Sequence, residues 1–266
     1  MTFPALDILT HASHNCRDVL RRTFRGLSRR LRRPAPGLFQ PYNHTLPDRY
    51  PWLFRFAAAR LGNTQDLRML SFGCSLGEEV FSLRNYFPTA DLKGLDIDPD
   101  NIACCLARAR AAQSTGMTFA TAATTAGEPT GYYDAIFCLA VLCLGDLTTS
   151  GAERCDPHLR FVDFERVIVD FARCLKPGGI LLLHTTNFRF CDTVAANDFD
   201  VVLEADPAQM APDVLFDRDN KLMKGERYYA VAFRKRGSVA YQATTSTPDL
   251  ESGFASRSNF QRSSRE

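Results

Sequence analysis

Between residues 51 and 235 the hydrophobic positions of the chain switch repeatedly between two spacings. Short apolar runs at Leu67–Phe72, Leu92–Ile97, Met117–Ala120, Tyr133–Leu139 and Ile180–His184 have the length of strands buried on both faces. Between them, apolar residues recur three and four apart. Val80, Leu83 and Phe87 do so within Glu78–Phe87, and Phe161, Phe164, Ile168, Phe171 and Leu175 within Phe161–Leu175. That spacing puts each set on one helix face. The boundaries carry matching chemistry. Pro51–Leu61 runs to Gly62, Asp98 stands as N-cap before Pro99 in the helix Pro99–Arg110, Pro88 stops the helix before it, and Lys176-Pro177-Gly178-Gly179 ends the last one. Phe199–Leu203 and Tyr228–Phe233 read as further strands. Strand and helix in alternation, with short connections, predict an α/β fold: a doubly wound, mostly parallel sheet with helices on both faces.

The ends differ from this middle. Residues 1–50 read as a helical extension. Within it, residues 17–33 hold eight Arg and one Asp, with Val19, Leu20, Phe24, Leu27 and Leu31 at near-helical spacing. Such a basic amphipathic helix docks on anionic lipid or nucleic-acid phosphate, or packs its apolar stripe on the main domain. From residue 237 to 266 the chain is rich in Ser, Thr and Arg without apolar periodicity, the pattern of a disordered tail. Residues 51–236 therefore form the one main domain.

Composition narrows the class. The net charge of +2 says little about partners, whereas 45% hydrophobic residues support a sizeable core. Nine Cys without any C-x-x-C pair, four of them (Cys74, Cys138, Cys143, Cys174) inside apolar runs, predict buried reduced thiols rather than disulfides or a metal site. No apolar run nears the roughly 20 residues of a membrane span, and the N-terminus lacks a signal-peptide pattern. A cytoplasmic location is the expectation.

The chemistry concentrates at the first strand-to-helix turn, Phe72-Gly73-Cys74-Ser75-Leu76-Gly77-Glu78-Glu79. In doubly wound sheets ligands bind at the carboxyl ends of strands where the winding reverses. Gly73 permits a sharp turn, Gly77 a close helix approach, and the small Ser75 leaves the backbone accessible. Glycines four apart, followed at once by two acids, do not match the dinucleotide pattern G-x-G-x-x-G. Carboxylates there repel a pyrophosphate and suit a cationic ligand. About 20 residues on, as the nucleotide-fold rule expects, Gly94-Leu95-Asp96-Ile97-Asp98 ends a strand in acid. Asp96 is placed to accept ribose hydroxyls, and Asp98 to cap a helix.

With these pieces the chain resembles the class I S-adenosylmethionine-dependent methyltransferases over roughly residues 50–235. The resemblance is carried by Leu70–Gly77, Gly94-Leu95-Asp96, Tyr133–Cys138 and Leu175–Gly179. The run Gly73–Glu79 is most similar to the chemotaxis-receptor methyltransferases. The resemblance implies a Rossmann-like sheet of about seven strands with the last antiparallel. It also implies S-adenosyl-L-methionine as cofactor, held by Gly73, Cys74, Ser75, Gly77 and Glu78 along its methionine part, by Asp96 at the ribose and by Ile97 at the adenine. Cys138 and Leu139 would border the methyl-transfer site. The chain departs from the family at Ser71, where an acid is usual, at Ser75, where a second glycine is usual, and at Phe119-Ala120-Thr121-Ala122, which lacks an acid. Leu139-Ala140 stands where the chemotaxis enzymes carry Arg-Asn.

No Asp/Asn-Pro-Pro-Tyr/Phe motif or Pro-Cys nucleophile follows Tyr133–Leu139, which argues against methylation of adenine or glutamine nitrogen, or of cytosine carbon. Candidate bases are His158 and Asp146 in the following loop, with His184 at a strand end. Arg189 would suit an anionic acceptor. The acceptor stays open: small molecule, lipid-linked or protein. The competing expectation is a non-catalytic scaffold that binds a partner, anionic membrane or nucleic acid through residues 17–33.

Overall fold

A computed structural model describes residues 39–237, apart from 63, 157 and 212. The Arg-rich segment 17–33 and the tail beyond residue 237 lie outside the described residues. Seven strands form one sheet: β1 (Arg68–Phe72), β2 (Asp91–Asp96), β3 (Met117–Thr121), β4 (Tyr133–Leu139), β5 (Leu175–His184), β6 (Phe199–Glu204) and β7 (Ala230–Lys235). Their order is β3-β2-β1-β4-β5-β7-β6. The pairings from β3 to β5 are parallel, and β7 runs antiparallel to both β5 and β6. This is the Rossmann-like doubly wound architecture, and its winding reverses between β1 and β4.

Strand alternation sends neighbouring residues to opposite faces. Leu70 and Phe72 of β1, with Ile136 and Cys138 of β4, enter a core layer covered by helix α5 (Phe161–Cys174). Met69, with Ala135 and Phe137, enters the layer on the other face, covered by α1 (Pro51–Leu61), α2 (Glu78–Tyr86) and α3 (Pro99–Ala111). The α5 stripe foreseen from spacing is the buried face, with Phe161, Phe164, Ile168 and Phe171 all covered. Asp98 caps α3 as its sequence predicts, accepting the Asp100 N–H at 3.0 Å.

Several local details differ from the sequence expectation. Helix α5 stops at Cys174 and Leu175 already belongs to β5, because its fully buried side chain pairs opposite Tyr133. The register then jumps to Ala135 opposite Ile180, so Lys176–Gly179 bulge from the strand, with Lys176 Nζ 2.7 Å from both Asp134 carboxylate oxygens. The last strand begins at Ala230 rather than Tyr228. A helix α4 (Asp146–Ser150) was not foreseen, since five residues are too few to show a period. All eight described cysteines are free, but Cys104 and Cys191 are exposed, not buried. Among the described residues no helix is long and apolar enough to cross a membrane, and no cluster of metal-ligating side chains exists.

The two core layers meet the site through β1, whose Phe72 ring packs edge-on against Phe171 at 5.0 Å. Replacing the fully buried Phe171 by Ala removes that contact and leaves a cavity. Equilibrium urea unfolding of Phe171→Ala is expected to show a loss of about 3–5 kcal/mol.

Candidate active site

The β1–α2 turn is bound to β2 by its own backbone. The N–H groups of Gly73 and Cys74 both donate to the Leu95 carbonyl, at 2.8 and 2.9 Å. Gly73 needs to be glycine: its φ is +73°, and a Cβ there would lie 2.5 Å from a Val141 methyl. Ser75 takes a left-handed φ of +51° without that freedom. A strained residue of this kind persists where surrounding bonds over-determine it. Here the Ser75 N–H donates to Asp96 Oδ2 at 2.8 Å. Asp96 Oδ1 accepts from the Asp98 N–H at 2.8 Å and from the Asn101 side chain at 3.0 Å. Asp96 is 7% exposed, so these charge-assisted bonds act in a partly dry setting.

The two acids after Gly77 separate. Successive helix residues point about 100° apart, so only one can face the turn. Glu78 turns away from the cleft and pairs with Arg108 at 2.9 Å. Glu79 faces the cleft, with its Oε1 shut from solvent and without a hydrogen-bond partner. Burial pushes its carboxyl up to about 7, against the opposing pull of the Ser71 hydroxyl and the Arg49 guanidinium.

A cleft of about 110 Å³ opens above these groups. Phe72, Gly73, Cys74 and Ser75 form one wall, Asp96 and Ile97 another, with Ala122 and Ala123 beyond them. Leu139, Ala140 and Val141 close the β4 side. The outer wall comes from residues 39–50, where Tyr42, His44, Arg49 and Tyr50 reach over the cleft. Arg49 donates to the His44 carbonyl at 2.8 Å and lies over the Tyr50 ring at 5.1 Å. Burial holds the Tyr50 hydroxyl above its ordinary pKa, so it keeps its proton.

Of the residues anticipated as cofactor ligands, the structure brings Gly73, Cys74, Ser75, Asp96, Ile97 and Leu139 together around the cleft. It does not bring Gly77, Glu78 or Cys138 to its walls. Gly77 starts α2, where a Cβ would sit 3.0 Å from the Cys105 sulfur, and Cys138 is wholly buried beneath the site. The anticipated bases also fall elsewhere. His158 is exposed in a loop whose backbone is drawn to Asn220, with Cys155 N–H to Asn220 O at 3.1 Å. Asp146 is exposed at the start of α4 and accepts the Tyr42 hydroxyl at 2.7 Å, so it touches a cleft residue but not the cleft. His184 is satisfied on both sides, by Thr185 Oγ1 at 2.7 Å and the Gln209 carbonyl at 3.2 Å, and burial lowers its pKa. Arg189 is paired with Asp192 at 2.8 Å. Glu79, Arg49 and Tyr50 are the additions. Glu79 was hidden by its equivalence to Glu78 in sequence. Arg49 and Tyr50 precede the first helix and belong to no periodic pattern.

The acid-lined cleft lies at the switch point of the doubly wound sheet, where sheets of this architecture bind their ligands. Residues 70–183 match the family model described as a methyltransferase domain. No curated protein matches the sequence. Among solved structures, the chain is similar to phosphoethanolamine N-methyltransferase 2 of Haemonchus contortus in complex with S-adenosyl-L-methionine, at 17% identity and a TM-score of 0.41, covering 61% of this chain and 31% of that one. It is also similar to the cyclase SpnF, at 22% identity and a TM-score of 0.38, over 49% of this chain and 43% of that one. For geranyl diphosphate C-methyltransferase from Streptomyces coelicolor A3(2) the figures are 15%, 0.37, 50% and 44%. The chain therefore spans less than half the length of each.

An acid whose pKa is raised by folding is held more tightly as the protonated form in the folded state. Its penalty is absent below the unfolded value and complete above the folded one. The free protein is thus expected to lose stability as pH climbs from about 4.5 to about 7. Glu79→Gln should flatten that slope and stabilise the protein at pH 8 by roughly 1–3 kcal/mol, the scale of an unpartnered buried polar group. Urea midpoints across pH 4–8 read both effects.

Proposed function

We propose that the chain is an S-adenosylmethionine-dependent methyltransferase. The observation that carries this is the placement of two desolvated carboxylates, Asp96 and Glu79, on either side of the Gly73–Ser75 turn in one cleft. S-adenosyl-L-methionine has a group for each. Glu79 Oε1, unpartnered within the protein, accepts from the α-ammonium. Asp96, held by the Ser75 and Asp98 N–H groups and the Asn101 amide at the edge of the same cleft, is the acceptor for the ribose hydroxyls. The Arg49 guanidinium balances the α-carboxylate. Ile97, Ala122 and Ala123 offer an apolar seat for adenine without an acid at the end of β3. A pyrophosphate in the same place would meet Glu79 directly, which disfavours NAD.

When bound, the cofactor supplies a methyl group on an electrophilic sulfonium. The chain's own contribution is positioning, which provides much of the rate in a displacement of this type. Leu139, Ala140 and Tyr50 shape the space between the cofactor seat and the acceptor. The segment 39–50 excludes water. The resemblance of Gly73–Glu79 to chemotaxis-receptor methyltransferases would make the acceptor a protein carboxylate. Leu139-Ala140 offers no cation to receive one, and Glu79 lies close by, so that acceptor is disfavoured.

Calorimetric titration with S-adenosylmethionine, S-adenosylhomocysteine and NAD tests the assignment. Binding of the two sulfur nucleotides and not of NAD is expected. Binding of none would reject it. Asp96→Ala, folded by circular dichroism, should weaken S-adenosylhomocysteine at least tenfold, from loss of charged hydrogen bonds worth about 1.5–3 kcal/mol. Because Glu79 must ionise to receive the ammonium, affinity for S-adenosylmethionine should rise between pH 5.5 and about 7 and then level off. Glu79→Gln should remove that rise.

A further inference from the structure

A second, smaller cavity lies one strand further along the sheet: Leu139, which lines the cleft, pairs with His184, and the next residue, Thr185, lines the cavity. It lies at the carboxyl end of β5 and the start of β7, between Thr185, Thr186, Met210, Asp213 and Tyr229, with a volume of about 30 Å³. That exceeds the roughly 10–15 Å³ that one water needs, so it admits a small polar head. Tyr50 lines the cleft, and its hydroxyl engages Thr185, which lines the cavity. Thr185 has a φ of +58°, a costly conformation for a β-branched residue, and Ala140 has the same value past the paired end of β4.

Asp213 gives the cavity its chemistry. Its Oδ1 receives only a 3.5 Å bond from the Thr148 hydroxyl, and its Oδ2 is closed to solvent with no hydrogen-bond partner. Among the described residues no cation pairs with it. Arg227 also lines the cavity, but it is exposed as a residue and its Nη1 donates to the Glu226 carbonyl. Burial raises the carboxyl's pKa, the mark of a charge without compensation. A buried carboxylate is stabilised by a cationic donor and penalised by another anion.

We propose that this cavity receives the amino group of the methyl acceptor, with Asp213 as its anchor. The assignment of the amine as the methyl acceptor rests on the methyltransferase reading, whereas the amine site itself rests on the cavity and Asp213. Ligand-observed NMR on the full chain, with and without saturating S-adenosylhomocysteine, tests it with propylammonium, propanol and propionate as probes. Propylammonium is expected to bind and propionate not. Asp213→Asn should weaken propylammonium at least tenfold while leaving S-adenosylhomocysteine affinity unchanged and the thermal midpoint no lower. A merely structural Asp213 would lower the midpoint instead. Equal binding of propionate or propanol, undiminished propylammonium binding in Asp213→Asn, or no propylammonium binding would each overturn the proposal. Asp213-dependent propylammonium binding to a protein that ignores S-adenosylhomocysteine would leave the amine site standing and remove its role as methyl acceptor.

Discussion

The site depends on the carboxylate of Asp96. One oxygen holds the Ser75 N–H of the β1–α2 turn, and the other holds the Asp98 N–H and the Asn101 amide at the start of α3. Two strand-to-helix turns that are 21 residues apart in sequence are thereby joined at one point. The left-handed backbone of Ser75 is maintained by this bond, and Asp98 is placed to cap α3. The binding surface is therefore preorganised: the group proposed to read the ribose is the group that assembles the turn beneath the methionine end.

Electrostatics at the cleft are unbalanced by design of the fold. Glu79 and Asp213 are desolvated carboxylates with an unpartnered oxygen each, and both are pushed toward protonation. A protein that leaves such groups unpaired forfeits stability, because burying a charge without a partner is costly. A cationic ligand recovers that free energy on binding. The two positions bracket the Tyr50–Thr185 contact, one on the cofactor side and one beyond it. Segment 39–50 completes the enclosure, so a stretch that looks like a mere extension contributes an essential wall.

How far the chain can be read without its structure varies by element. Helices α1, α3 and α5 and strands β1, β2, β4 and β5 were legible from spacing and caps, since apolar periodicity and capping chemistry are local properties. The Gly73–Ser75 turn and Asp96 were legible because their separation repeats the geometry of one strand–helix–strand unit. His158 was not legible as remote, because nothing local reveals that its loop is drawn toward Asn220. Asp213 lies in a connection between β6 and β7 with no periodic signal at all.

The sequence by itself determined the fold class and the acidic character of the first strand-to-helix turn, for both follow from local apolar spacing and turn chemistry. Only the tertiary structure decided which acid serves. Helix rotation turned Glu79 inward and gave Glu78 to Arg108. Packing of residues 39–50 over the sheet supplied Arg49 and Tyr50, and the connection from β6 to β7 brought Asp213 to the end of β5. Side-chain direction and long-range apposition are set by burial across the whole domain, and no local pattern encodes them.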